Sequence, residues 1–192
     1  YTEFSTEIVG IEADAEYVTV TAKVTNTGDT YAGKEVVEVY FSAPDGDLEK
    51  PYQELAGFAK TDLLQPGESQ EVTISYLTSE MSSYSEEKAA YIMEDGEYIV
   101  RVGNSSRNTH VAGVLTLEEE TVTEQLANTF SENNEDLEEL SNEGATPYTY
   151  EGEADEIAAA QRIAIDPAAL ASGPDATTEE DMARMEEVRT QT

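Results

Sequence analysis

A chain of 192 residues with 39% hydrophobic side chains can build one ordinary core with an appendage, or two small domains. Its net charge of −32, from 42 acidic against 10 basic residues, repels nucleic acid and anionic membrane, and no apolar run reaches the length of a membrane-spanning helix. Cysteine is absent, which excludes disulfides, thiolate metal sites and thiol nucleophiles and leaves the redox compartment open.

The chain begins at Tyr1 with neither Met nor a leader pattern, and reads as a segment of a longer chain. "TEIVGIEA" near the start supplies a first strand. In "YVTVTAKVTNTGDT", Val18, Val20, Ala22 and Val24 alternate with Thr19, Thr21, Lys23 and Thr25, the period of a strand with one buried and one wet face. Asn26-Thr27-Gly28-Asp29 then ends it with residues that tolerate positive φ. "KEVVEVYFSAP" places Val37, Val39 and Phe41 on one face against Val36, Glu38 and Tyr40, with Pro44-Asp45-Gly46 as the turn. Leu55 to Phe58 form a further short strand, Pro66-Gly67 a turn, and "SQEVTISYL" alternates again through Val72, Ile74 and Tyr76. "GEYIVRVGNSS" sets Tyr98, Val100 and Val102 against Glu97, Ile99 and Arg101, and "HVAGVLTLEE" reads as the last strand.

About seven strands at this spacing predict an all-β, immunoglobulin-like sandwich over residues 1–117. Without a Cys–Trp–Cys core an antibody-like domain is excluded, and a fibronectin type III-like sandwich fits better. Residues 1–117 hold 21 acidic and 7 basic residues; residues 118–192 hold 21 and 3, with Phe130, Tyr148 and Tyr150 as their only aromatics. The boundary therefore falls near Leu117, and residues 118–192 form an acidic, partly helical or irregular extension, a linker toward a further domain. Within it, "TVTEQLANTF" and "NNEDLEELSN" are expected as short helices with Thr123 and Asn134 as N-caps. A third helix over "TTEEDMARMEEVRT" takes Thr178 as cap and carries a narrow Met182–Met185–Val188 stripe.

No catalytic constellation is visible. His110 is the only histidine and reads as a surface or loop residue. "PDGDLE" lacks the spaced ligands and closing glutamate of a calcium loop. With 42 carboxylates, paired acids occur everywhere and identify no glycosidase site. No cofactor-binding or metal site is assigned. Tyrosines spread over several strands raise a competing reading, an independent carbohydrate- or protein-binding module, which would need a flat exposed Tyr cluster.

The order of three phrases is more specific than any one of them. "VTNTGDTYAGKEVVEVYFSAP", "KPYQELAGFAKTDLLQPGESQEV" and "EDGEYIVRVGNSSRN" together resemble the fibronectin type III-like domain of family 3 glycoside hydrolases, which include β-glucosidases and β-xylosidases. "YTEF" resembles the junction through which that family's α/β sandwich passes into this module. The resemblance covers Tyr1 to about Leu117. It implies a parent hydrolase whose (β/α)8 barrel carries the nucleophilic Asp and whose α/β sandwich usually contributes the acid/base. Neither domain's motifs occur in this chain, so no catalytic residue carries over and the chain is not expected to be an enzyme on its own. The residues that follow Leu117 resemble the connection toward the barrel in members with a rearranged domain order. The implied partners are these two missing domains, and neither nucleic acid nor membrane. The candidates for the surface facing them are Lys50, Pro51, Tyr52, Glu54 and Leu55, with Pro51 fixing the loop's φ and Pro66-Gly67 setting the return turn.

Overall fold

The computed structural model describes residues 1–127, 141–146 and 148–190. Alternation decides most of its strands. β1 (Phe4–Ala13) and β2 (Tyr17–Asn26) form a hairpin, and β2 runs on against a later strand, β5 (Ser69–Leu77). On β2, Val18, Val20, Ala22 and Val24 are all buried, while the intervening threonines face water. There Thr19, Thr21 and Thr25 pair their hydroxyls with Ser75, Thr73 and Ser69 at 2.8, 3.1 and 2.7 Å. The strand ends as expected. Asn26 is fully buried, donates to the Tyr31 and Leu64 carbonyls at 2.9 Å each, and accepts from Thr2 Oγ1 at 2.6 Å.

Facing this three-stranded sheet is a five-stranded one. Its members are β3 (Val36–Ser42), β4 (Glu54–Lys60), β8 (Gly96–Ser105), β9 (Asn108–Leu117) and β11 (Arg162–Ile165), in the order β11-β9-β8-β3-β4. Val37, Val39 and Phe41 point inward, as do Tyr98, Val100 and Val102, and with Val72 and Ile74 they make one core between the sheets. Burying each such side chain contributes about 1.5–3 kcal/mol, which for a sandwich without disulfides is the main stabilisation. Pro66-Gly67 makes the turn before β5: Gly67 has φ of 79° and the Glu68 amide donates to the Gln65 carbonyl at 2.9 Å, the geometry of a type II turn. The fold class read from the sequence is therefore present.

Described residues beyond Leu117 are built into this structure. A small third sheet has the order β10-β7-β6, from β6 (Ser83–Ser85), β7 (Ala90–Met93) and β10 (Thr121–Gln125). The helix expected over "TVTEQLANTF" is thus corrected: Thr121 to Gln125 pair antiparallel with β7. Thr123 caps nothing and instead donates its hydroxyl to the Tyr91 carbonyl at 3.2 Å. The physical reason is that the run of Thr and Val favours a pleated surface once a partner strand is at hand. "HVAGVLTLEE" is accordingly not the last strand, since β10 and β11 follow it. The helix expected from Asn134 lies outside the described residues.

Further on, α1 (Glu153–Ala159) packs on β9, β11 joins β9 in parallel register, and α2 (Pro167–Leu170) follows with Asp166 accepting from the Ala168 amide. Ile165 and Leu170 are buried and belong to the sandwich core. Helix α3 (Glu179–Thr190) forms where expected, with Thr178 and Asp181 capping each other's amides at 3.2 and 3.1 Å. Of its stripe, Met182 is exposed and Met185 half-buried; the Val188 side chain lies outside the described residues.

Candidate interdomain surface and the docked extension

The loop between β3 and β4 turns Lys50 inward. Its ammonium donates to the Pro44 and Leu48 carbonyls at 3.2 and 3.3 Å and pairs with the Glu94 carboxylate. Glu94 also accepts from the Asp47 amide at 2.6 Å. Burial works to raise the Glu94 carboxyl, but the Lys50 ammonium and the loop amides outweigh it and hold the group below the usual carboxylate range. A Cβ on Gly46 would stand 2.5 Å from this carboxylate, so any larger residue in the "PDGD" turn would push the Glu94 carboxylate aside.

Pro51 is exposed, and Tyr52 then reaches across the sheet. Its hydroxyl donates to Glu153 Oε1, and its ring meets Tyr148 edge-on with centroids 5.0 Å apart. Beneath them lies Arg101, only 1% exposed. Its guanidinium sits 4.8 Å over the Tyr52 ring, its Nε donates to Ser42 Oγ at 2.9 Å, and its Nη2 pairs with Glu153 Oε1 at 2.7 Å. The Arg101 Nη1 and Gln53 Oε1 atoms are buried without a hydrogen-bond partner among the described residues. Burial opposes ionisation of Glu153, yet Thr149, Tyr52 and Arg101 together keep its carboxyl below the ordinary range. The Tyr52 phenol is pushed up, by burial first and then by its bond to Glu153.

A second anchor lies beside this one. Glu156 accepts from the Val111 amide at 3.0 Å and from the Tyr150 hydroxyl at 2.7 Å, and meets His110 Nδ1 at 2.8 Å. Its carboxyl too is held low against the opposing effect of burial, by the Val111 amide, Tyr150 and His110. Arg107 completes the strap, 4.2 Å over the Tyr148 ring. Residues 148–159 thus cover the outer face of β8 and β9 and form a third layer on the sandwich.

The five candidate surface residues consequently separate. Lys50 is engaged with Glu94, and Tyr52 with the chain's own extension. Glu54 is half-buried, and burial raises its carboxyl more than Lys50 lowers it. Leu55 and Pro51 remain exposed. Sequence reading missed Arg101, Glu153 and Glu156, although two of the three aromatics of the extension, Tyr148 and Tyr150, flank the anchoring segment and were a usable signal.

The tyrosines likewise divide. Tyr40, Tyr76 and Tyr98 are buried, whereas Tyr84 and Tyr91 are each 39% exposed with rings 5.6 Å apart and tilted by 59°. Among the described residues no group of three or more acidic or histidine side chains could hold a metal ion.

Residues 35–106 match the fibronectin type III-like domain family. The chain is 46% identical over 121 residues to β-glucosidase A of Butyrivibrio fibrisolvens, which covers 60% of this chain and 14% of that enzyme. It is 41% identical over 107 residues to a β-glucosidase of Kluyveromyces marxianus, covering 55% and 12%. The crystal structure of a β-glucosidase from Paenibacillus barengoltzii superposes with a TM-score of 0.63 at 41% identity, over 66% of this chain and 15% of that one. The chain thus spans about one-seventh of the length of the relatives it matches. Its β-sandwich is a fibronectin type III-like domain of the kind carried by family 3 β-glucosidases.

Proposed function

We propose that this chain works as a non-catalytic accessory domain of a family 3 β-glycosidase, packing against the catalytic domains and stabilising them, with a further role in shaping the active-site rim. One observation carries this reading. Residues 35–106, within the sandwich, match the fibronectin type III-like family, and the similarity to β-glucosidases spans only a small fraction of those much longer enzymes. The division into a sandwich over residues 1–117 and an extension over 118–192 belongs to the same proposal, with the extension leading on toward the barrel. The partners are the (β/α)8 barrel and the α/β sandwich.

A second reading, a carbohydrate-binding module, is favoured by the exposed Tyr84–Tyr91 pair, since Tyr84 borders a cleft of about 920 Å3 between the β6–β7 hairpin and the Lys50 loop. The tilt of the two rings argues against it, because stacking on a sugar wants a flat aromatic surface. The test is calorimetric titration of the chain with cellobiose, xylobiose and longer β-glucans, with nitrophenyl β-glucoside hydrolysis assayed on the same sample. The accessory reading expects neither heat nor hydrolysis. Binding abolished by Tyr84→Ala would replace it with the second reading, and hydrolysis by pure protein would overturn both.

A further inference from the structure

The two edges of the five-stranded sheet are treated differently. The β9 edge is closed by β11 from the extension, whereas β4 ends the sheet with no strand beyond it among the described residues. Open edges that are also apolar invite association, and proteins normally blunt them with charge or proline. Here Leu55 is 51% exposed, Phe58 69%, and Leu63, three residues past the strand's end, 55%.

The exposure of the first two is a product of backbone geometry. Residues three apart on a regular strand face opposite sides of the sheet. In β4 the register slips between the Val39–Gly57 and Tyr40–Leu55 pairs, leaving Ala56 as an extra residue. This bulge puts Leu55 beside Tyr40 and Phe58 beside Glu38, and Tyr40 and Glu38 share the outer face through a 2.7 Å hydrogen bond. Both large apolar side chains therefore face outward together. A bulge interrupts the ladder; here Ala56 packs against the core while Leu55 and Phe58 stay outside it.

We infer that the β4 edge, centred on Leu55 and Phe58, is the face that meets the catalytic portion of a β-glucosidase polypeptide; this rests on the accessory reading. Two observations select the occupant. A second copy would bring another −32 charge against this one, and such self-repulsion disfavours edge-to-edge pairing. In the relatives, by contrast, most of the polypeptide lies outside the matched segment and is held next to it in cis. The neighbouring Tyr52 face is already covered by the chain's own residues 148–156. The partner surface is thus an apolar patch on a covalently linked domain.

The test places this chain in the Butyrivibrio fibrisolvens enzyme in exchange for its matched segment, with and without the paired change Leu55→Thr and Phe58→Thr, which keeps β-forming residues. Val9→Thr, an exposed site on β1, is the matched control. The wild-type chimera and the Val9→Thr chimera should inactivate on heating at one rate, and the paired variant faster by roughly tenfold or more, as expected for losing the burial of two apolar side chains. The isolated 192-residue chain should sediment as a monomer and melt at the same temperature with or without the paired change. An active chimera indifferent to the paired change overturns the assignment of this edge while leaving the accessory reading intact. A wild-type chimera that is inactive overturns the accessory reading and this proposal with it. An isolated chain that dimerises, and that the paired change returns to monomer, gives the edge to a second copy and overturns the proposal.

Discussion

Removing the Glu153 carboxylate leaves the Arg101 guanidinium inside the protein without a counter-charge. Among the described residues Arg101 has one carboxylate partner, and its Nη1 is already unsatisfied. Breaking a buried ion pair from one side costs about 3–5 kcal/mol, whereas exchanging both partners for apolar residues of similar volume is close to neutral. Glu153→Ala should therefore lower the urea midpoint strongly, and the double change Arg101→Met with Glu153→Leu should restore most of it. Equal losses from the single and double variants would mean that packing, not charge, holds this point. The orientation of Arg101 was legible, since it alternates with Val100 and Val102 on a clear strand. Its partner was not. The two residues lie 52 positions apart, and any of the 21 carboxylates beyond Leu117 could have filled the role.

At the scale of elements, the strands with strict alternation could be read directly, because one buried face fixes both period and register. The sequence signal failed where the partner decides the state. Thr121 to Gln125 have no fixed preference until β7 lies alongside, and the four residues Arg162 to Ile165 become a strand only by joining β9 in parallel. The bulge at Ala56 did leave a signal that went unread, since Gly57 borders the slip and an isolated glycine within a strand pattern marks such sites. Docking of α1 and the residues before it has a pH signature. Glu153 and Glu156 both have carboxyls held below their ordinary values. For groups lowered by folding, the stabilisation is complete above the unfolded value of about 4.3 and is lost as pH falls through the folded one. His110, Tyr150 and the Val111 amide face Glu156, and Arg101, Tyr52 and Thr149 face Glu153. Native-state hydrogen exchange on acidification should accordingly open residues 148–159 before β2 and β5, whose cross-strand contacts are hydroxyls and apolar side chains. Simultaneous opening of both regions would contradict this ordering.

For the whole molecule, the sandwich and the described part of its extension share one hydrophobic core, with a strap of charged and aromatic contacts on one face. Ile165 and Leu170 enter the core from beyond the sandwich, and Thr177 closes the far end by accepting from the Gln125 amide at 2.7 Å. Deleting everything after Ala127 would expose the β9 edge, empty two core positions and strand Arg101. Together these losses are on the order of 5 kcal/mol or more, comparable to the full stability of a typical domain. The most direct test is urea denaturation of the 192-residue chain beside one ending at Ala127, followed by tyrosine fluorescence and far-ultraviolet circular dichroism. One coincident transition is expected for the full chain, with the shortened chain unfolded or shifted to a much lower midpoint. Equal midpoints, or two separate transitions in the full chain, would contradict the account and give the residues after Ala127 the status of an independent appendage.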